Sequence, residues 1–218
     1  MTGRLSPLLI ALVALTTATS TAAQNRVRFS GAAEGYLTRL NTDVAGEPVQ
    51  FSGPSFGGAG SVAWWRLSLN LRYLEGGLSP SGGGDARDLV EGEALLAFRP
   101  LSWLRLGFGP HVRAFILNSG TERWLFWEGR VRTETRLGFP TLRTHFEFWQ
   151  VLGSDVRVPD AFGTGQGLEG GLRWEIGRFP LSVMLSYRLD RSSLASGSRE
   201  EVLEHVFVSV GIGRGGSE

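Results

Sequence analysis

The 218-residue chain has no cysteine and no lysine, so all 22 of its basic residues are arginine. The first absence excludes disulfide staples and thiolate chemistry. The second excludes every mechanism that needs an ammonium group, including the phosphate-binding P-loop, which requires a lysine. Net charge is only +1, without the basic excess that a nucleic-acid partner calls for. Histidine is confined to His111, His145 and His205, which leaves imidazole chemistry few places to occur. No apolar run approaches the roughly 18 to 20 residues that a membrane-spanning helix requires.

What is present begins with Arg4, an apolar stretch from Leu8 to Leu15, and small residues at Thr21, Ala22 and Ala23. That succession predicts an export signal over residues 1–23 and a mature chain starting near Gln24. Residues 24–218 are long enough for one all-β barrel or sandwich and contain no linker-like stretch, so a single barrel domain is expected. The 31 glycines are about twice the ordinary share, and they sit among Trp, Phe and Val, a mixture that suits strands. Export to an oxidising compartment without cysteine leaves stability to hydrogen-bonded sheet.

The clearest pattern lies in residues 122–138. Leu125, Trp127, Gly129, Val131, Thr133, Thr135 and Leu137 fall on one phase, and Glu128, Arg130, Arg132, Glu134 and Arg136 on the other. Because side chains alternate across a β-strand, this segment has one apolar face and one strongly charged face.

The same alternation recurs over residues 25–40, 61–75, 88–99, 101–117, 140–153, 165–177, 180–191 and 201–213. Proline or glycine marks tight hairpins around Pro100, at 138–140 and at 177–180. Longer polar connections run over 75–86, 154–164 and 190–200, with a shorter one at 118–122. Short and long turns thus alternate, as they do in barrels with short periplasmic turns and larger external loops. Nine strands conflict with the even number usual in single-chain bacterial outer-membrane barrels. The tenth is expected at 44–56, where Val49 and Phe51 alternate. An eight-stranded barrel, with part of the region before residue 60 as a plug or lid, is the alternative.

Phase assignment collects Trp65, Leu67, Leu69, Leu71 and Tyr73, then Leu104, Leu106 and Phe108, then Val206, Val208, Val210 and Ile212 on a face almost free of charge. The opposite face holds Arg66, Arg72, Glu91, Glu93, Arg188 and Asp190 among others. A soluble barrel with its apolar face inward and a membrane barrel with it outward share this period. Strands of 13 to 17 residues, against about 5 to 6 in globular proteins, favour the membrane arrangement, as do Trp and Tyr near strand ends. An arginine at the bilayer midplane costs about 2 to 4 kcal/mol, and the apolar face is free of it. Its one clear exception to charge exclusion is Glu204.

On these features the chain resembles small bacterial outer-membrane β-barrel proteins, a likeness of class that covers everything after the signal. It implies an antiparallel up-and-down transmembrane barrel in the outer membrane, with outer-membrane lipid and the barrel assembly machinery as partners. One departure is the tail, Gly211 to Glu218, which lacks the aromatic residue on which such proteins usually end.

Gly165, Gly167 and Gly170 spell the GxGxxG dinucleotide fingerprint. The residues after them, Leu172, Trp174 and Ile176, alternate like a strand, whereas the motif needs a helix there. No nucleotide partner and no cofactor is expected. His111, His145 and Glu147 are weak catalytic candidates; His145 and Glu147 share a strand face, where carboxylates could orient an imidazole as base or metal ligand. His205 and Ser209 stand four apart on a strand, too far for direct contact at about 3.3 Å of rise per residue.

The strongest constellation is Arg105, Arg113, Glu128, Arg130, Arg132, Glu134, Arg136, Arg143, Glu147, Glu169, Arg173 and Glu175. A barrel of eight to ten strands has a narrow interior that such mixed charges can fill while satisfying one another. The expectation is a plugged lumen and a structural or interaction role. The alternatives are a soluble lipocalin-like barrel binding an apolar ligand and an outer-membrane hydrolase.

Overall fold

Ten strands make up the computed structural model, which describes residues 27–157, 161–176 and 179–213. The expected export signal lies outside the described residues. The strands are β1 (Arg28–Val44), β2 (Glu47–Trp64), β3 (Leu67–Pro80), β4 (Arg87–Leu101), β5 (Leu104–Leu117), β6 (Gly120–Arg136), β7 (Leu142–Arg157), β8 (Phe162–Glu175), β9 (Leu181–Leu194) and β10 (Arg199–Ile212). Each pairs antiparallel with the next, and β1 pairs with β10 from Gly31↔Ile212 to Val44↔Arg199. The sheet therefore closes on itself and leaves no free edge. No helix occurs among the described residues.

Three expectations about boundaries are corrected. The tenth strand exists, but as the 18-residue β2, and β3 starts at Leu67 after a turn at Trp65 and Arg66. Alternation fades over Gly57, Gly58, Ala59, Gly60 and Ser61, yet the backbone ladder to β1 continues through them, from Arg28↔Ala63 to Val44↔Glu47. Pro100 does not make the turn: β4 runs on to Leu101, and Pro100 sits where the pairing with β5 shifts register between Phe98 and Leu101, a place where its missing N–H costs no ladder bond. The polar stretches expected as long loops are mostly strand, since β3 reaches Pro80, β7 reaches Arg157 and β9 reaches Leu194. The connection at Ala45 and Gly46 is only two residues, so the expected contrast of long and short turns is weak.

What positions the lumen is a reversal of polarity along the strands. Outward positions of β1 read Phe29, Gly31, Ala33, Gly35 and Leu37, then Arg39, Asn41 and Asp43. On β3 they read Leu67, Leu69, Leu71 and Tyr73, then Glu75, Gly77 and Ser79. β10 shows the same from its other end, with Ile212, Val210, Val208 and Val206 followed by Glu204. An apolar belt thus encircles the half of the barrel that carries the chain ends. From Phe29 to Leu37 it rises about 26 Å along the strand, or about 20 Å along the barrel axis at a tilt near 40°, close to the ~25 Å apolar band of outer-membrane barrels. Trp64, Trp65, Trp103 and Trp174 are exposed at its lower rim and Tyr73 and Tyr187 at its upper rim. Above the belt the outside turns polar on β1, β3 and β10, although β5 stays apolar outward to Ile116, and the inside turns apolar.

Glu204 marks this boundary. Tyr187 donates its hydroxyl to Glu204 at 2.8 Å, and Arg39 lies 3.7 Å from the carboxylate.

Candidate functional site in the barrel lumen

The lumen has three levels. At the end bearing the chain termini lies a cavity of about 720 Å³ whose walls reach the turns at Trp65, Ser102 and Phe179. Its floor is a layer of buried ion pairs. Beyond that layer, under the polar exterior, Leu40, Phe51, Leu74, Leu78, Leu89, Phe115 and Leu203 pack into one apolar core. Trp124, Phe126 and Leu194 form a second one beside it. These side chains are buried inside the upper half of the barrel by the ordinary hydrophobic effect.

Arg130 is the hub of the ion-pair layer. Its Nη2 lies 2.5 Å from Glu93 and 2.6 Å from Glu128, and its Nη1 lies 3.2 Å from Glu147. From there a closed circuit runs through Glu128, His111, Glu91, Arg113, Asp190, Arg188 and Glu93 back to Arg130. Its links measure 2.8 Å for His111–Glu128, 3.3 Å for His111–Glu91 and 2.6 Å for Arg113–Glu91. Arg113–Asp190 at 3.6 Å, Arg188–Asp190 at 2.8 Å and Arg188–Glu93 at 3.7 Å complete it. A branch joins Glu34 on β1 to Arg72 at 3.3 Å and Arg72 to Glu169 at 3.1 Å. Trp149 is held in the layer by its Nε1 bond to Asp190 at 3.0 Å, with Arg130 and Arg188 over its ring at 4.7 and 4.8 Å. Charges this deep persist only when paired and hydrogen-bonded.

The GxGxxG glycines lie in β8, with neither the loop nor the helix of a nucleotide site. Gly167 faces inward, and a Cβ there would sit 2.3 Å from the Trp149 ring. Gly171 likewise would meet His145 Cε1 at 2.7 Å. These bare positions make room for large lumen side chains.

The structure distributes the expected site residues unevenly. Arg113, Glu128, Arg130, Arg132, Glu147 and Glu169 meet in the central layer, Arg132 through a 3.1 Å contact with Glu147. Arg143 pairs with Glu134 at 3.3 Å and Glu175 at 3.0 Å in the cavity wall. Arg105 and Arg173 line the cavity, and among the described residues neither has a carboxylate within 4 Å. Arg136 ends β6 in an exposed position and does not join the network, because the strand leaves the lumen there.

The three histidines are buried. His145 Nε2 bonds Glu169 at 3.0 Å, while Glu147 turns to Arg130 and Arg132, so the two candidates on β7 do not form a pair. His205 Nδ1 bonds Thr38 Oγ1 at 3.0 Å. No group of three His, Asp or Glu among the described residues is placed to hold a metal ion. Sequence reasoning missed Glu34 and Thr38. Their signal was the inward phase Glu34, Tyr36, Thr38 and Leu40 of β1, whose opposite phase is mostly glycine and alanine and gives little contrast.

No protein-family model matches the chain, and no curated protein matches it in sequence. Solved structures do match. The outer membrane protease OmpT from Escherichia coli superposes with a TM-score of 0.57 at 8% identity, over 91% of this chain and 99% of that one. The fold is that of bacterial outer-membrane barrels. The translocator domain of the autotransporter NalP from Neisseria meningitidis, at 14% identity, matches over 94% of this chain and 93% of its own with a TM-score of 0.48. Neisserial surface protein A, at 12% identity, matches over 84% and 96% with a TM-score of 0.39. At such identities the likeness concerns the fold alone.

Proposed function

We propose that the chain is an integral outer-membrane barrel with a closed lumen, serving a structural or interaction role and conducting nothing. The observation that carries this reading is the Arg72–Glu169 contact across the full width of the lumen, at the level where the outward apolar belt ends. The belt, the aromatic rims and the charged interior at belt height favour lipid outside over an apolar ligand inside, which a soluble barrel would need. Above the belt, the polar outer faces of the strands, with connections as short as Ala45 and Gly46, offer the surface for contact with other molecules.

Cell fractionation with heat-modifiability on a gel tests the reading. The folded barrel is expected in the outer-membrane fraction, released only by detergent, and migrating differently before and after boiling. Recovery in the soluble periplasmic fraction without detergent would refute it.

A further inference from the structure

We infer that the cavity at the terminus-bearing end is a binding site for a phosphorylated, hydroxyl-bearing solute of about the size of a sugar phosphate. Its volume of about 720 Å³ lies within the ~300 to 1,000 Å³ typical of small-molecule sites. One wall, from β4 to β8, carries Arg99, Arg105, Arg132, Arg143 and Arg173. Of the four carboxylates that these strands bring to the cavity, Glu134 and Glu175 are taken by Arg143, Glu147 by Arg130 and Arg132, and Glu93 by Arg130 and Arg188. Among the described residues Arg99, Arg105 and Arg173 have no carboxylate within 4 Å, so the wall holds uncompensated positive charge.

The strand register makes this charge costly for the empty protein. Arg105 stands directly opposite Arg132, and Arg143 directly opposite Arg173, and like charges on directly opposite residues destabilise a sheet. In addition, the buried Nε of Arg132 and Nη2 of Arg143 have no hydrogen-bond acceptor among the described residues. A multiply charged oxyanion answers each of these features, because it accepts several guanidinium donors at once. A phosphomonoester carries a charge of about −1.5 to −2 at neutral pH, which suits three unpaired arginines better than a single carboxylate does.

The facing wall is of a different kind. Apart from Arg28 and Arg66 near the mouth, Ser30, Ser61, Ser68, Asn70, Ser182 and Ser209 line it, and they offer neutral donors and acceptors suited to sugar hydroxyls. The ion-pair layer closes the floor, so the ligand enters and leaves by the same mouth. That mouth faces the periplasm if the chain ends of the proposed outer-membrane barrel lie on the periplasmic side; the binding itself does not depend on that reading.

The test uses the refolded barrel in dodecyl maltoside and phosphate-free buffer, titrated calorimetrically with glucose 6-phosphate, inorganic phosphate and glucose. Glucose 6-phosphate is expected to bind once per barrel, inorganic phosphate more weakly and glucose not at all. R105Q and R173Q should each weaken binding by about tenfold or more while keeping heat-modifiability, since each removes a like-charge neighbour. R105K should retain more binding than R105Q, and Arg191→Gln, outside the cavity, should change nothing. A second arm repeats the titration in phosphatidylglycerol nanodiscs. Retained binding identifies a free solute as the source of the phosphoryl group. Lost binding, with lipid phosphorus bound to the wild type but not to R105Q or R173Q, identifies a lipid headgroup. No binding of either phosphate probe in detergent, equal binding to R105Q and R173Q, or glucose binding as well as its phosphate would overturn the proposal.

Discussion

Arg72 on β3 and Glu169 on β8 meet at 3.1 Å although four strands lie between them in either direction round the barrel. The contact is a diameter, and Arg188 to Glu93, between β9 and β4 at 3.7 Å, is a second. Side chains that reach each other across a barrel divide its lumen at that level. Because each end of these pairs is further held, Arg72 by Glu34 and Glu169 by His145, the cross-links belong to one network.

Breaking such a buried network at one member leaves uncompensated charge. Arg130→Met takes one shared cation from Glu93, Glu128 and Glu147, leaving them only Arg188, His111 and Arg132, and is expected to lower stability by about 3 to 5 kcal/mol. Arg72→Met combined with Glu169→Leu should cost much less than the sum of the two single changes, because it removes both charges. Urea unfolding of the micellar barrel, followed by tryptophan fluorescence, measures both. Strict additivity of the pair would contradict the contact.

The height of the belt is testable from outside. Ala33→Arg places a charge midway along the apolar band between Phe29 and Leu37 and should cost about 2 to 4 kcal/mol. Asn41→Arg, eight residues along the same outward face and already above Leu37 and Arg39, should be nearly neutral. The same unfolding measurement in lipid vesicles compares them, and equal costs would mean that the belt edge is misplaced.

Gly167 and Gly170 give a third comparison, three residues apart in one strand. Gly167→Ala drives a methyl into the Trp149 ring and is expected to destabilise by about 1 to 3 kcal/mol. Gly170→Ala points outward, where the nearest atom would be 3.9 Å away, and should change little. The temperature at which heat-modifiability is lost reads the difference.

Much of this was legible in the sequence where side chains contrast. Strands such as β6, with Trp127 and Val131 alternating against Arg130 and Arg132, declare both faces; nine can be counted this way, and the tenth followed from the even strand number of such barrels. Legibility failed for two physical reasons. Where both phases are small, as over Gly57 to Ser61 in β2, backbone pairing builds strand that hydropathy cannot mark. Where the exterior changes solvent, as between Leu37 and Arg39, one phase reverses its meaning, so that Leu40 and Phe115 are buried in the lumen while Asn41 and Asp43 face outward. Within the site, the sequence placed Arg130 and Glu128 on one face. It could not show that Arg72 reaches Glu169, because strands five places apart share no register that a pattern reveals.

The closed lumen is tested most directly by planar-bilayer recording of the refolded, heat-modifiable barrel. A flat baseline, with no steady conductance step over sustained applied voltage in either polarity, is the predicted result. A stable open channel in the wild-type protein would contradict the proposed closed lumen, which rests on the Arg72–Glu169 and Arg188–Glu93 contacts and the apolar core above them.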